Sequence, residues 1–174
     1  MRRVFLCLAV MGATLILASG VALAAVVQYV AGAPSVVSSS PAQAKQMCKG
    51  LPATIEGSTG DDTLNGTNNP DVIALLSGAD VSHGRSGNDR ICGNRGDDTL
   101  SGGNNDDTLF GDAANDGIRG GAGDDVLYGG AGDDILYGGP GDDTLRGNAG
   151  NDTLHGGPGR DRLIGGPGRD SSIS

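Results

Sequence analysis

An aspartate recurs every nine residues from Asp62 to Asp170, thirteen times without an insertion or a deletion. Carboxylates at so regular a spacing suit the binding of a hard divalent cation through oxygen ligands. With no Cys or His among the recurring positions, the donor set favours Ca²⁺ over zinc or copper, and Mg²⁺ is less suitable because it keeps a small octahedral shell and its waters. The candidate metal ligands are Asp62, Asp71, Asp80, Asp89, Asp98, Asp107, Asp116, Asp125, Asp134, Asp143, Asp152, Asp161 and Asp170.

These aspartates are position six of a nine-residue unit that fills residues 57–173, and we number the units 1 to 13 from the first glycine. The unit is clearest in Gly120–Leu145, which reads GGAGDDVLY, GGAGDDILY, GGPGDDTL. Position one is Gly except at Leu75, and position eight is Leu or Ile except at Ser82 and Ser172. Glycine at positions one and four predicts positive φ and close backbone approach there. Alternation along a strand directs position eight inward and positions seven and nine outward.

A Gly-rich turn followed by a strand of about three residues is too short to be stable alone. We expect successive units to stack as parallel coils of eighteen residues, with odd units in one sheet and even units in the other. The predicted fold class is all-β, a right-handed parallel β-roll (β-solenoid) of thirteen repeats, two per coil, with the aliphatic side chains meeting between the sheets. Residues 57–173 carry twenty Asp and eight Arg, so the stacked aspartates repel one another unless a cation is bound.

The unit GGxGxDxUx, in which U is a large aliphatic residue, resembles the RTX-type calcium-binding nonapeptide of parallel β-rolls. The resemblance covers 117 of the 174 residues. It implies that the first six residues of each unit form an ion-binding turn, with Ca²⁺ held between units n and n+2 by position-six Asp side chains and turn carbonyls. Thirteen units then offer at most eleven such sites.

The units are not equivalent. Unit 3, Leu75–His83, is expected to lack both the first glycine and the inward aliphatic residue, and unit 7 has Ala114 at position four. We therefore expect tighter sites from Gly120 to Asp161 and weaker or empty sites before Gly84. Aspartates at position five are predicted to be solvated turn residues, with a direct ligand role as the alternative. They are Asp61, Asp97, Asp106, Asp124, Asp133 and Asp142.

Residues 1–24 are predicted to be a signal peptide, with two arginines ahead of an apolar stretch, Val4–Ala18, and an A-x-A cleavage site at Ala22–Ala24. The alternative is an uncleaved membrane anchor, because apolar residues continue to Val30 without a charge. Both interpretations place the repeats outside the cytoplasm, and we expect a secreted, extracellular protein.

Residues 25–47 are predicted to be a linker, and Cys48–Glu56 a capping strand that covers the N-terminal end of the roll with Ile55 at position eight. At the other end the last coil carries no predicted cap. End-to-end self-association is the expectation for that exposed edge.

Two cysteines, Cys48 and Cys92, lie outside the predicted signal peptide. Exported proteins live where disulfides persist. The resembled family often pairs a CxGxPATI start with a later ICG, which here are Cys48–Ile55 and Ile91–Gly93. The resemblance implies a Cys48–Cys92 disulfide, with two free thiols or an intermolecular bridge as the alternatives.

No catalytic constellation is apparent in the sequence. His83 and His155 both occupy the outward position nine, and no HExxH or nucleophile motif occurs. Paired aspartates recur along the array, whereas a catalytic pair would be unique. The formal charge of −9 argues against nucleic acid as a partner. The predicted function is therefore not enzymatic. We expect an exported calcium ion binding protein whose repeats fold on binding Ca²⁺.

Two other classes of function stay open. The first is a cell-surface or matrix spacer or adhesive protein that calcium merely rigidifies, with an ice-binding surface as a remoter variant. The second is a non-catalytic accessory to a separate secreted hydrolase. The ice-binding variant depends on the outward Thr63, Thr99, Thr108, Thr144 and Thr153. Two outward rows at position nine are either a partner surface or ordinary strand packing. They are Phe110, Tyr128 and Arg146 on one sheet and Arg119, Tyr137 and His155 on the other.

Overall fold

The computed structural model describes residues 46–173. This range contains sixteen strands and no helix, so nothing in it is a helix long and apolar enough to cross a membrane. The strands are β1 Met47–Cys48, β2 Leu51–Pro52, β3 Ile55–Glu56, β4 Thr63–Asn65, β5 Val72–Ala74, β6 Val81–Ser86, β7 Arg90–Arg95, β8 Thr99–Asn104, β9 Thr108–Ala113, β10 Gly117–Ala122, β11 Val126–Ala131, β12 Ile135–Tyr137, β13 Thr144–Ala149, β14 Thr153–His155, β15 Arg162–Ile164 and β16 Ser171–Ile173. The predicted signal peptide or anchor, and nearly all of the predicted linker, lie outside the described residues.

Fourteen of the strands form two parallel sheets of seven. Even-numbered strands from β4 to β16 make one sheet, and odd-numbered strands from β3 to β15 make the other. Each strand pairs with the strand eighteen residues away, so that Ile118 is opposite Leu136 and Leu127 is opposite Leu145. The predicted parallel β-roll with two units per coil is confirmed. The thirteen units supply thirteen of these strands, and β3 adds the other one at the N-terminal end.

The space between the sheets is filled mainly by the position-eight side chains, as predicted. The buried cluster consists of Ile73, Leu75, Ile91, Leu100, Leu109, Ile118, Leu127, Leu136, Leu145 and Leu154. Each buried aliphatic side chain contributes roughly 1.5–3 kcal/mol. One expectation was wrong: unit 3 does have an inward aliphatic residue. It is Leu75 at position one, which is fully buried because it lies two residues after Ile73 and therefore on the same inward face.

The positive φ predicted for the turn glycines is confirmed at position four and is wrong at position one, where the predicted close approach is what requires glycine. Positive φ occurs at positions two and four, as at Gly121 (φ 128°) and Gly123 (φ 139°), and not at position one. At position one glycine is needed for space instead. A Cβ on Gly129 would clash with Asp134 Oδ2 and lie 2.7 Å from the carbonyl oxygen of Gly147.

The segment ahead of β3 folds onto the side of the roll. Strands β1 and β2 pair as an antiparallel hairpin, and β1 contacts β5 and β7. Cys48 of β1 and Cys92 of β7 form a disulfide with a Cα–Cα distance of 5.6 Å. Beneath the hairpin, Ala74 and Cys92 are buried although position nine faces outward. Lys49, in the hairpin turn, forms an ion pair with Asp112.

The two outward rows at position nine form cross-strand stacks. The rings of Phe110 and Tyr128 lie 4.9 Å apart, and those of Tyr137 and His155 lie 4.8 Å apart. The Arg119 guanidinium lies 5.7 Å from the centre of the Tyr137 ring. Arg119 and His155 are on the two strands that flank the strand of Tyr137, one on each side. Because neighbours cover both faces of Tyr137, this arrangement favours strand packing over a partner surface.

Candidate metal centre

The position-six aspartates link successive coils through one of their two carboxylate oxygens. From Asp80 onward, Oδ1 of each accepts the backbone N–H of the aspartate eighteen residues earlier. Asp125 Oδ1 accepts from Asp107 at 2.8 Å, and Asp134 Oδ1 accepts from Asp116 at 2.9 Å. This ladder continues from the Asp62 N–H to Asp170 Oδ1, in two rows at the two turn edges. It holds the coils in register at every turn.

The other oxygen, Oδ2, is buried without a hydrogen-bond partner in ten of these residues. They are Asp80, Asp89, Asp98, Asp107, Asp116, Asp125, Asp134, Asp143, Asp152 and Asp161. Leaving a buried acceptor unpaired costs about 1–3 kcal/mol, and more when the group is charged. Ten such oxygens in one small roll therefore indicate a missing positive partner.

A second oxygen faces the same space in several turns. A Cβ on Gly138 would clash with Asp143 Oδ2 and lie 2.6 Å from the carbonyl oxygen of Gly156 in the next coil. Gly111 has the same surroundings, with Asp116 Oδ2 and the Gly129 carbonyl oxygen at 2.6 Å. A carboxylate oxygen without any hydrogen-bond donor and a carbonyl oxygen thus converge beside each of these two glycines. This arrangement fits a hard cation.

No three His, Cys, Asp or Glu side chains come together anywhere in residues 46–173. An ion in these turns therefore depends on one or two carboxylates supplemented by backbone carbonyls. Ca²⁺ accepts that mixed oxygen set, whereas structural zinc is held by Cys and His. The donors present fit Ca²⁺.

Burial raises the pKa of the carboxyl groups in the middle of the array. The pKa of Asp116 rises to about 8, and those of Asp107 and Asp125 to about 7. Loss of solvation is the largest cause of the raised pKa in each case. The backbone N–H that donates to Oδ1 lowers the pKa. Repulsion from neighbouring aspartates raises it further, as Asp134 and Asp98 do for Asp116. Without a cation, these side chains resist ionisation at neutral pH.

Units 1 and 2 satisfy Oδ2 with protein donors instead. Asp62 Oδ2 accepts the N–H of Ser58 at 2.6 Å and its hydroxyl at 2.9 Å. Asp71 Oδ2 accepts the N–H of Thr67 at 2.7 Å and its hydroxyl at 2.9 Å. Sequence reasoning missed this pair, although a signal was present: only units 1 and 2 have a hydroxyl residue at position two.

Position five forms a second ladder in the opposite sense. Asp124 Oδ1 accepts the N–H of Asp142, eighteen residues later, at 2.8 Å. Asn115 Oδ1 accepts the N–H of Asp133 in the same way at 2.7 Å. Since an amide oxygen performs this task as well as a carboxylate, charge is not required here. The geometry supports the predicted role as a turn residue.

In each row of aspartates, from Asp80 to Asp161, Oδ1 accepts a hydrogen bond and Oδ2 has no donor. By its fold and by these turns, the protein is a β-solenoid with acidic, oxygen-lined turns. The sequence matches four copies of the RTX calcium-binding nonapeptide repeat, at residues 56–91, 83–118, 114–145 and 137–171. The matches span more than half of the chain, and the protein belongs to this family of calcium-binding repeats. No curated protein shows a significant match to the sequence.

We predict that Gly129→Ala is destabilising, because the added methyl enters the space between Asp134 Oδ2 and the Gly147 carbonyl. Gly129 lacks positive φ, so the effect is steric, and overpacking of this kind costs about 1–3 kcal/mol. Gly117→Ala is the matched control, because its nearest neighbour, Asp98 O, lies 3.9 Å away. Denaturant unfolding in saturating calcium measures both. Equal losses for the two variants would contradict the assignment of this space.

We also predict that the calcium-free roll is more stable in mild acid. The raised pKa values mean that folding takes up protons between the ordinary 3.8 and about 8, as for Asp116. Stability from this source is therefore fully present below 3.8 and is lost as pH rises through about 6 to 8. Circular dichroism in calcium-depleted buffer is expected to show more β structure at about pH 5 than at about pH 8. A β signal independent of pH would refute the prediction.

Calcium affinity is expected to fall when the pH is lowered from about 8 to about 5, because protons compete with calcium for the same carboxylate oxygens.

Proposed function

We propose that this protein is an exported calcium ion binding protein whose repeats fold when Ca²⁺ binds between successive turns. The observation that carries the proposal is the set of ten buried Oδ2 atoms without partners, from Asp80 to Asp161. The proposed ligands are the position-six aspartates and the turn carbonyls that face them. Up to eleven inter-turn sites follow from thirteen units if each ion lies between units n and n+2.

The coupling of folding to binding follows from where these oxygens lie. In the unfolded chain the carboxylates are solvated and far apart. Stacking the units buries them, as at Asp125 (1% exposed), and sets like charges one coil apart, about 5 Å. When bound, the ion supplies a positive partner for the buried carboxylate oxygen and for the turn carbonyl oxygen that faces it. Because the assembled turn exists only in the folded roll, the free energy of unfolding rises with calcium concentration.

Export is supported by the disulfide and by the family. A Cys48–Cys92 bridge is compatible with an oxidising compartment, and RTX repeat proteins are typically secreted. Extracellular calcium sites have dissociation constants of about 10⁻⁴–10⁻³ M. We propose that most of the array is unfolded in low calcium and folds outside the cell. No catalytic role is part of the proposal.

A calcium titration of the purified protein followed by far-ultraviolet circular dichroism tests this function. We expect a cooperative coil-to-β transition near about 10⁻³ M Ca²⁺, reversed by chelator and absent with Mg²⁺. A β spectrum that chelator does not change would remove the proposed coupling. It would favour the structural spacer, which is supported by the protein-only hydrogen bonds of the position-five ladder and by the disulfide.

A pair of adjacent substitutions separates ion binding from coil register. Asp125→Asn keeps an oxygen for the Asp107 N–H but removes the charge on Oδ2. We expect the calcium concentration at half-transition to rise about tenfold, since ligand charge shifts calcium affinity by decades among oxygen sites. Asp124→Asn, at position five, is the control, and we expect little change because Asn115 already serves in that ladder. Equal responses of the two variants would count against Oδ2 as a ligand.

A further inference from the structure

The turns of the roll are of two kinds, distinguished by the backbone at position two. In units 3 to 13 every position-two residue has positive φ, from Leu76 (φ 81°) to Gly166 (φ 120°). Ser58 and Thr67, in units 1 and 2, do not. Their N–H groups therefore turn toward the aspartate of their own unit, and their hydroxyls join the same oxygen. The φ difference decides whether Oδ2 has a donor.

Asp71 shows how complete the protein-made turn is. It is 8% exposed, so its carboxylate is buried. Thr67 supplies two donors to Oδ2. The Thr54 hydroxyl lies 3.3 Å from Oδ1 and 3.1 Å from the Val72 carbonyl oxygen, and its one proton serves these two acceptors. The Asp71 N–H donates to Asp89 Oδ1. The oxygen that is unpaired in later units, Oδ2, thus has two donors from the chain here. The counterparts of Asp71 from Asp80 to Asp161 keep Oδ2 unpaired.

Unit 3 marks the boundary between the two kinds of turn. Leu75 stands at position one, where the other units keep glycine and the space beside it. Its side chain is fully buried in the core and adds apolar contact to the N-terminal coils. Asp80 Oδ2 in the same unit already lacks a partner. Unit 3 therefore contributes packing to the N-terminal part without providing the glycine-lined space.

Covalent and ionic links hold the same end of the molecule together. The Cys48–Cys92 disulfide spans 44 residues and encloses β2 to β6 and units 1 to 4, the last of which ends at Cys92 itself. Closing a loop of this length removes conformations of the unfolded chain and so stabilises the fold. The hairpin carrying Cys48 also buries Ala74. These constraints involve no cation, and they span the turns of Asp80 and Asp89, whose Oδ2 atoms have no protein donor.

We infer that residues 46–92, here called the N-terminal seed, hold their fold without calcium and provide the edge on which residues 93–173 fold when calcium binds. The inference rests on the proposed function, because it divides the roll into a part that needs calcium and a part that does not. Strand β6 and the first half of β7, Arg90–Cys92, belong to the seed, and these strands pair with β8 and β9, the first strands that lie wholly beyond it. A preformed edge spares the calcium-dependent units the cost of nucleating a coil.

Hydrogen–deuterium exchange of the purified, disulfide-bonded protein, read by peptide mass spectrometry, tests the seed. In chelator we expect slow exchange for amides of β3 to β7 and fast exchange from β8 onward. In saturating Ca²⁺ both parts are expected to exchange slowly. Fast exchange throughout in chelator, with protection throughout in calcium, would overturn the seed and leave the proposed function standing. Slow exchange throughout in chelator would overturn both.

Removing the two hydroxyls tests the cause of the seed's stability. We expect the double variant Ser58→Ala, Thr67→Val to lose protection of β4 and β5 in chelator by about tenfold, because the half-buried Asp62 and the buried Asp71 each lose a hydroxyl donor. Protection of β10 to β13 in saturating calcium is expected to stay unchanged, which shows that the variant folds. Thr59→Ala, in an exposed position of unit 1, is the matched control and is expected to leave exchange unchanged. Unchanged seed protection in the double variant would overturn the hydroxyl assignment.

Discussion

Each turn of this roll depends on one aspartate whose two carboxylate oxygens have different partners. Oδ1 accepts an N–H from the preceding coil and sets the register, as between Asp116 and Asp134. The same bond draws the carboxyl group out of water, so Oδ2 is left in a space that solvent does not reach. The rise of the Asp116 pKa to about 8 reflects that loss of solvation. Oδ2 therefore needs a partner at every turn, and a cation, a proton or a hydroxyl can each serve.

The glycines follow from this constraint. Position one borders Oδ2 and tolerates no methyl group there, and Leu75 is the single exception. Position two requires positive φ in most units, a conformation costing roughly 1–2 kcal/mol in non-glycine residues. It nevertheless admits Asn94, Asp112 and even Arg85. The requirement for space is thus stricter than the requirement for backbone freedom, which explains why position one varies less than position two.

Much of this architecture was predictable because a nine-residue period dictates a short strand, a turn and an inward side chain. The parallel roll and the buried Leu127 and Leu136 follow from those elementary rules. Other features depend on contacts between units eighteen residues apart, which the pattern within one unit does not contain. The direction of each ladder and the assignment of positive φ to position two are of this kind. So is the fold of the hairpin against the roll, which buries Ala74.

The two ladders together show what position six requires. Both use a side-chain oxygen to accept an N–H one coil away, and Asn performs this at position five, as Asn115 does. If register were the only task, Asn would serve equally at position six. Position five accordingly varies among Asp, Asn, Arg, Pro and Ala, whereas position six is Asp in all thirteen units. The difference between Asp and Asn is the charge on Oδ2, and so position six is occupied by a carboxylate because its second oxygen has to meet a donor or a cation.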